Sequence, residues 1–238
     1  MIDLHSHLLP GVDDGAQTLD SALELARIAV SDGVTHMVLT PHVHIGRFDN
    51  EMMTLKPVFI SFRRALKEAG IPLTISIAGE VRITDELLTR VPEKRVPFLG
   101  EWGGKKVLLL ELPHSHIPPG SDKLVKWLLG HNILPMIAHP ERNKDILRNF
   151  DLLTAFVEMG CLFQVTAMSM SGDFGDASRT CAIKMLEKEW ITVLATDAHN
   201  ANHRPPVLSK GFEAAKAISG ELAARKLVLD HPRMIVGL

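Results

Sequence analysis

Two histidines, His5 and His7, lie two positions apart at the end of the short apolar run that begins the chain. Two carboxylates, Asp13 and Asp14, follow almost at once. Imidazole nitrogens and carboxylate oxygens together form a ligand set that zinc, manganese and iron accept. This stretch therefore predicts part of a metal site. Either Asp13 or Asp14 could point into that site. An HxH pair alone is not specific for metal binding.

The same residue types recur where other apolar runs end. They are His42 in TPH, Glu80 in AGE, Glu111 in LLLEL, His139 in IAHPER, and Asp197 and His199 in ATDAH. Only the run CLFQVT lacks one and contributes Gln164 and Thr166 instead. Because an unpaired ionised group is costly to bury, this placement favours a shared compensating charge. Metal dications are the simplest such charge, and the alternative is a set of hydrogen-bonded histidines scattered through the core.

The number and the charge of these candidates predict more than one metal ion. The nine candidates are His5, His7, Asp14, His42, Glu80, Glu111, His139, Asp197 and His199. One ion takes about four to six ligands. The four carboxylates balance two dications, and a third dication would suit a bridging hydroxide and a phosphate dianion. The residues alone thus leave two or three ions open, and the histidines disfavour calcium.

Parallel strands must bring these residues together. Seven continuous apolar runs are typical of strands buried on both faces, and they cover residues 1–5, 34–40, 73–79, 106–112, 133–139, 161–166 and 191–196. Amphipathic spacing predicts helices between and after them, over 18–33, 49–70, 121–130, 143–160, 176–190 and 205–226. We predict one α/β domain over residues 1–238, a distorted (β/α)7-type TIM-like barrel with its site at the C-terminal strand ends. An open doubly wound sheet is the alternative.

Composition and charge argue against several other classes of protein. The net charge of −2, without any lysine- or arginine-rich run, disfavours nucleic acid and anionic membrane as partners. The uncharged stretches are too short to span a bilayer, and Asp3 stands where a signal peptide would be basic. We therefore expect a cytoplasmic protein without membrane insertion. Cys161 and Cys181 lack metal-type spacing and are expected to be reduced. The oligomeric state is left open.

Motifs that occur in order across nearly the whole chain carry a family resemblance. They are DLHSHLLPGVDDG, LTPH, AGEVRI, LLLELP, IAHPER, QVTAMSMSGDFG and ATDAHNANHRPP. The first resembles the opening of the polymerase-and-histidinol-phosphatase (PHP) superfamily. Together they resemble the bacterial manganese-dependent protein-tyrosine phosphatases of capsule and exopolysaccharide systems.

The resemblance implies a distorted barrel with three divalent metal ions, manganese being expected and iron or zinc being alternatives. One ion would be held by His5, His7, Glu80 and Asp197, a second by Glu80, Glu111 and His139, and a third by Asp14, His42 and His199. Glu80 would bridge two of the ions. This grouping comes from the family and not from the spacing of the residues.

Two arginines near predicted ligands are candidates for binding phosphate, because the planar guanidinium matches phosphate oxygens. Arg142 follows His139 by three residues, and Arg204 follows His199 by five. The resemblance implies that both are substrate-binding and catalytic residues. The alternative is that they are solvated arginines of two loops.

Two residues that follow His42 are weaker candidates. Arg47 is predicted to contact the substrate, and His44 is predicted either to orient a ligand or to donate a proton. The phenolate released from phosphotyrosine has a pKa of about 10, so acid assistance would help only modestly. The identity of the general acid is therefore left open.

The predicted activity is hydrolysis of a phosphomonoester by attack of a metal-bridging hydroxide on phosphorus. Neither Cys161 nor Cys181 begins a Cys-x5-Arg loop, so no cysteine nucleophile is expected. By resemblance, the substrate is a phosphotyrosine-containing protein, the tail of a bacterial autokinase that controls polysaccharide export. The alternatives are a small-molecule phosphatase acting on a compound such as histidinol phosphate, a phosphodiesterase or nuclease, and a non-catalytic metal-binding regulatory module.

Overall fold

Ten short strands form the sheets in a computed structural model that describes residues 1–238. In chain order they are β1 (Ile2–Ser6), β2 (His36–Leu39), β3 (His42–Val43), β4 (Thr74–Ile77), β5 (Glu80–Arg82), β6 (Gly100–Trp102), β7 (Lys105–Glu111), β8 (Ile133–Ala138), β9 (Leu162–Thr166) and β10 (Val193–Ala195). The smaller sheet has the order β1-β2-β4, and the larger has the order β10-β9-β8-β7-β5-β3. All of these neighbours are parallel, whereas β6 pairs antiparallel with β7.

The two sheets follow seven strand positions around a distorted barrel. Only residues 40–41 separate β2 from β3, and only residues 78–79 separate β4 from β5, so each pair occupies one position. The first gap contains Pro41, which has no N–H to donate to a ladder. An isolated parallel bridge between Ser6 and Ala198 connects β1 to the segment after β10. The predicted α/β class and its parallel strands are confirmed.

Helices cover the outside of the sheets. They are α1 (Leu19–Ser31), α2 (Met52–Glu68), α3 (Leu87–Arg90), α4 (Ser121–Gly130), α5 (Lys144–Arg148), α6 (Thr154–Glu158), α7 (Ala167–Ser171), α8 (Asp176–Glu187), α9 (Ser209–Ser219), α10 (Glu221–Arg225) and α11 (His231–Val236). Short 3-10 turns lie at Pro140–Arg142 and Phe150–Leu153, and a π turn lies at Lys226–Asp230. None of the helices has the length and apolar character that crossing a membrane requires.

Two predicted helices are each divided into shorter elements. Within 143–160, Asn149 has extended backbone angles, and its side chain accepts the Asp151 N–H at 3.3 Å, which starts a new turn. The stretch predicted over 205–226 becomes α9 and α10, because Gly220 between them adopts a left-handed φ of 83°. The prediction of two continuous helices was wrong for this local reason.

Alternation along the strands determines which side chains face the barrel interior. In β7, Leu108 and Leu110 pack in the large core that includes the helices, whereas Val107 and Leu109 belong to a smaller, strand-rich core. Successive strand residues point to opposite faces, so Glu111 continues the inward series of Val107 and Leu109. The strand thus delivers this carboxylate to the inside of the barrel at its C-terminal end.

Candidate metal centre

The nine side chains predicted to bind metal meet at the C-terminal ends of the parallel strands. Their donor atoms form four groups, each within 4.8 Å: His7, Asp14, His42 and His199; His5, His7 and Glu80; His5, His139 and Asp197; and His42, Glu80 and Glu111. Because the groups share members, the nine residues form one connected cluster. The assignment of these residues to three separate ions stays a prediction.

An irregularity in β1 positions the N-terminal part of the cluster. The pairing of β1 with β2 shifts register between Asp3 and Ser6, and such irregularities re-aim side chains. The buried Asp3 carboxylate accepts the backbone N–H groups of His5 at 3.2 Å and Thr196 at 3.1 Å. Asp3 therefore ties the strand that carries His5 to the segment that carries Asp197.

Glu80 lies at the centre of the cluster and is fully buried. Its Oε1 is 2.7 Å from His139 Nε2, and its Oε2 is 2.8 Å from His42 Nδ1. The same Oε2 lies 3.4 Å from Nε2 of both His5 and His7. Four imidazoles thus surround one carboxylate, and Glu80 belongs to two of the four groups of donor atoms.

Two ligand candidates follow their strands in a left-handed backbone conformation. The φ angle is 31° at His139 and 52° at Asp197. Such angles cost about 1–3 kcal/mol at a non-glycine residue and concentrate at functional sites. The turn at Asp197 brings its Oδ1 within 3.3 Å of Nε2 of both His5 and His7. The backbone strain therefore coincides with the convergence of the side chains.

Asp14 forms the exposed side of the cluster. Its Oδ1 is 3.2 Å from His42 Nε2 and 3.5 Å from His199 Nε2, and the side chain is 45% exposed. The neighbouring Asp13 is buried and accepts a hydrogen bond from His7 Nδ1 at 2.7 Å. Both aspartates thus contact the cluster, and Asp14 is the one whose oxygen joins a group of metal-donor atoms.

Three buried carboxylate oxygens in the cluster accept no hydrogen bond of acceptable geometry: Glu80 Oε2, Glu111 Oε2 and Asp197 Oδ1. Charged neighbours do lie close, such as Arg82 Nε at 3.0 Å from Glu111 Oε2, but none forms a well-aligned hydrogen bond with these oxygens, so a bound cation would stabilise them. The Nε2 atoms of His5 and His7 lie between these carboxylates, 3.2 Å from each other. Convergent carboxylate and imidazole donors of this kind fit divalent transition-metal ions.

The titratable groups influence one another strongly. Burial, and then the nearby Glu80, raise the pKa of Glu111 to about 8. Burial opposes the charged form of His42, but Glu80 and Asp14 together outweigh it and raise the pKa of His42 to about 10. Burial lowers the pKa of His139 to about 3, although Glu80 opposes this shift. Because carboxylates crowd together here, bound cations would relieve their mutual repulsion.

Hydrogen bonds through Nδ1 orient the imidazoles. His5 Nδ1 donates to Gln164 Oε1 at 2.8 Å, and His199 Nδ1 donates to the carbonyl oxygen of Asp197 at 2.9 Å. The hydrogen bond from His7 Nδ1 to Asp13 orients the His7 ring in the same way. Metal-binding histidines commonly hold the second ring nitrogen in this way. The strand predicted to lack a ligand therefore contributes Gln164 as an orienting amide.

Asp197 also connects the cluster to both arginines predicted to bind phosphate. Arg142 Nη1 donates to Asp197 Oδ2 at 2.6 Å, and Arg204 Nη2 forms an ion pair with the same oxygen. The arginine side chains are 16% and 24% exposed, respectively. The structure thus places these two guanidinium groups together beside the ligand candidates, partly accessible from outside.

The two weaker candidates lie on the segment after β3. Arg47 is 61% exposed, and its Nη2 is 3.8 Å from Asp14 Oδ2. The His44 N–H donates to the carbonyl oxygen of Phe48 at 3.0 Å. Burial, and then the Arg82 guanidinium, lower the pKa of His44. Arg47 thus reaches the outer edge of the cluster. The backbone of His44 is held by an isolated antiparallel bridge to Phe48.

Arg82 is a site residue that the sequence interpretation missed. Its Nε lies 3.0 Å from Glu111 Oε2, and its side chain is 15% exposed. A signal was present in AGEVRI, because a residue two positions after Glu80 lies on the same face of the strand. His114, in the loop after β7, also reaches the site, with its ring centroid 5.4 Å from that of His139.

The fold and the site together define a class of protein: an α/β chain of barrel type with clustered metal-ligand side chains at the strand ends. The phosphotriesterase homology protein from Escherichia coli has a similar fold, with a TM-score of 0.62, and the match covers 99% of this chain and 98% of that chain. The sequence identity is 13%, so this likeness concerns the fold alone.

The family model described as capsular polysaccharide synthesis, CpsB/CapC, matches residues 1–237, and the chain belongs to this family. The chain is 34% identical to the putative tyrosine-protein phosphatase CapC of Staphylococcus aureus, over 98% of this chain and 93% of the relative. It is also 34% identical to the tyrosine-protein phosphatase YwqE of Bacillus subtilis (strain 168), over 86% of this chain and 79% of the relative.

A solved structure supports the same assignment. It comes from work on YwqE of Bacillus subtilis and CpsB of Streptococcus pneumoniae, described as unique metal-dependent tyrosine phosphatases. The TM-score is 0.92 at 29% identity, and the match covers 100% of this chain and 94% of that chain. The resemblance to the metal-dependent tyrosine phosphatases is confirmed.

Proposed function

We propose that this protein is a metal-dependent phosphomonoester hydrolase that dephosphorylates phosphotyrosine in a protein substrate. The observation that carries the proposal is the environment of Asp197. Its Oδ1 lies among the imidazoles of His5 and His7, while its Oδ2 meets Arg142 and Arg204. One carboxylate thus joins a metal-ligand cluster to two groups suited to phosphate. The names of the relatives support the same activity.

Three divalent ions are proposed, with manganese expected and iron or zinc as alternatives. His5, His7, Glu80 and Asp197 would hold the first, Glu80, Glu111 and His139 the second, and Asp14, His42 and His199 the third. The three buried carboxylate oxygens that accept no well-aligned hydrogen bond support the binding of cations here. When bound, such ions supply Lewis-acid stabilisation of phosphoryl charge and lower the pKa of water.

Arg142 and Arg204 are proposed to bind the phosphate and to stabilise the charge that develops on its oxygens. Their shared contact with Asp197 supports this role, because it orders both side chains before substrate binds. Arg47 is proposed to contact the substrate at the entrance, where its exposure would allow such a contact. His44 is proposed either to orient a ligand or to donate a proton.

A thiol nucleophile has no place in this proposal. Cys161 and Cys181 are both buried and free, and burial raises the pKa of each thiol to about 12. A nucleophilic cysteine needs a lowered pKa and access to solvent. The properties of both thiols therefore support hydrolysis by water without a covalent cysteine intermediate.

The proposed substrate is the tyrosine-rich tail of a bacterial autokinase that regulates capsule or exopolysaccharide synthesis. The exposure of Asp14 and Arg47 supports an open entrance that an extended chain could reach, and the family description supports the context. We also propose that residues 1–238 form a single PHP-type domain, since the family model spans 1–237. A cytoplasmic location is proposed, and the two free cysteines support a reducing compartment.

The test is a hydrolysis panel in which metal content is measured on the same protein sample. The substrates are a phosphotyrosine peptide, phosphoserine, histidinol phosphate, a nucleoside monophosphate and a phosphodiester. The proposal predicts the fastest phosphate release from the phosphotyrosine peptide, only while metal is bound. A preference for histidinol phosphate would indicate a small-molecule phosphatase, and cleavage of the diester would indicate a nuclease. No release from any monoester by metal-loaded protein would overturn the proposal.

A further inference from the structure

We propose that Phe174 is a positioning residue for Arg142, holding the plane of its guanidinium so that the edge N–H groups face the substrate phosphate. This inference rests on the proposed function and assigns a role to a residue outside the metal cluster. It concerns the loop after α7, which none of the predicted site residues occupies.

The guanidinium of Arg142 is held on two sides. Its Cζ lies 4.6 Å from the centroid of the Phe174 ring, and its Nη1 donates to Asp197 Oδ2 at 2.6 Å. An aromatic ring attracts a guanidinium to its face and leaves the in-plane N–H groups free for other acceptors. The ring therefore restricts the tilt of the group, while Asp197 restricts one of its edges.

The start of α7, from which the Phe174 loop follows, is hydrogen-bonded to the turn that carries Arg142. The residue before Arg142 is Glu141, which is fully buried, and its Oε1 accepts the Ser169 hydroxyl at 2.7 Å. The same oxygen accepts the Thr166 N–H at 3.1 Å. These two hydrogen bonds connect the end of β9 and the middle of α7 to the turn Pro140–Arg142. The turn that carries Arg142 is therefore joined directly to the helix that precedes the Phe174 loop.

The loop then returns toward Arg142 through a defined backbone path. Gly172 and Gly175 adopt left-handed φ angles of 97° and 89°, which residues with a side chain rarely do. Between them, the Phe174 N–H donates to the Met168 carbonyl oxygen at 3.3 Å. On its other side, α7 packs closely on α9, where a Cβ added at Gly211 would meet the α7 backbone at 2.6 Å. These contacts hold the backbone of the loop, and the half-buried ring of Phe174 lies against the Arg142 guanidinium.

If Phe174 positions Arg142, only another aromatic residue can replace it; if it merely fills space, an aliphatic residue of similar size can replace it as well. Tyr or Trp retains an aromatic face and should retain the orientation of Arg142, whereas Leu keeps apolar bulk without that face. We expect F174L to weaken the binding of inorganic phosphate by about fivefold, and we expect F174Y to stay within about twofold of the unsubstituted protein. Both variants should bind the same amount of metal as the unsubstituted protein.

The experiment measures inorganic phosphate as a competitive inhibitor of the metal-loaded full chain, with calorimetric titration as a second readout. A double-mutant cycle with R142A tests whether Phe174 acts through Arg142, because F174L should then have no further effect in the R142A background. The matched control is F98L, since Phe98 lies under Lys106 at 5.3 Å near the start of β7, away from Glu111. We expect the control to leave phosphate affinity unchanged.

The outcomes separate this inference from the proposed function. If the unsubstituted protein neither hydrolyses monoesters nor binds phosphate, the proposed function fails, and this inference fails with it. If that protein is active but F174L binds phosphate as well as F174Y does, the positioning role is overturned. A fivefold loss that persists unchanged in the R142A background would overturn it as well. Melting temperatures and metal content, measured on every variant, identify any loss that comes from unfolding, and F174A serves as a second variant if F174L is unstable.

Discussion

Asp13 Oδ2 accepts a hydrogen bond from Nδ1 of His7 at 2.7 Å, and both side chains are buried. The same carboxylate group accepts the backbone N–H groups of Gly15 at 3.0 Å and His42 at 3.0 Å. Asp13 therefore determines which nitrogen of His7 is free, and it directs that nitrogen toward Glu80. The first loop of the chain thus contributes one carboxylate to the metal-donor groups and a second that orients a ligand.

The first prediction concerns this orienting bond. Replacing Asp13 with Ala should lower the affinity of the protein for its metal by about 10- to 100-fold, because His7 loses the partner that fixes its ring. Chelator titration followed by elemental analysis measures the effect. Asp20→Asn, on the exposed first turn of α1, is the matched control and should bind metal as the unsubstituted protein does. Unchanged metal affinity in Asp13→Ala would contradict the role given to Asp13.

The second prediction concerns metal removal and stability. For each ion removed, chelation should lower the free energy of unfolding by about 3–4 kcal/mol relative to protein kept in metal at 100 to 1,000 times the dissociation constant of that site. The physical reason is that the carboxylates of Glu80, Glu111 and Asp197 are buried close together, and each keeps an oxygen that accepts no well-aligned hydrogen bond. Urea unfolding with and without manganese measures the difference. In Glu80→Gln, the dependence of stability on manganese should shrink, and equal dependence in both proteins would contradict the account.

The third prediction concerns the cysteines and pH. Because burial raises the thiol pKa of Cys161 and Cys181 to about 12, less than about one thiol in a thousand is ionised at pH 8, and alkylation should accelerate as the pH rises. Iodoacetamide should leave phosphatase activity intact at neutral pH, with labelling followed by mass spectrometry. The urea-unfolded protein is the control and should label quickly. Loss of activity in proportion to labelling of the folded protein would argue for a thiol nucleophile.

The fourth prediction concerns the buried carboxylate of Glu141. Glu141→Ala should reduce the free energy of unfolding by about 1–3 kcal/mol, because Thr166 and Ser169 lose their common acceptor. Urea denaturation provides the measurement. Glu187→Ala, at the exposed end of α8, should change stability by less than about 0.5 kcal/mol. A Glu141 variant as stable as this control would show that the two hydrogen bonds are not important for stability.

Eight of the nine metal-ligand candidates were predictable because each lies at the end of a recognisable apolar run, whereas Asp14 lies in the loop after β1 and was preferred to Asp13 only by the family resemblance. Glu111 ends LLLE and Asp197 follows VLAT, so hydrophobicity alone located the strand ends. Parallel strands all end at the same side of the sheet, which is why positions far apart in the chain could be expected to converge. The physical basis of that prediction was the sheet, and the structure places all nine donor residues in one cluster.

The partners of those ligands were not predictable from local pattern. His5 and Gln164 are 159 positions apart, and their hydrogen bond depends on the exact register of two strands. Arg82 became part of the site through its pairing with Glu111 on the neighbouring strand. Element boundaries failed for a different reason, since one side chain such as Asn149 can stop a helix that periodicity alone would continue.

The most direct test of the central claim compares His139→Ala with Arg142→Ala for metal content and for hydrolysis of a phosphotyrosine peptide. His139 is a predicted ligand, so its variant should lose both metal and activity. Arg142 is a predicted phosphate-binding residue, so its variant should retain metal while its turnover falls by about 100- to 1,000-fold. Equal loss of metal in the two variants, or full activity in His139→Ala, would contradict the account.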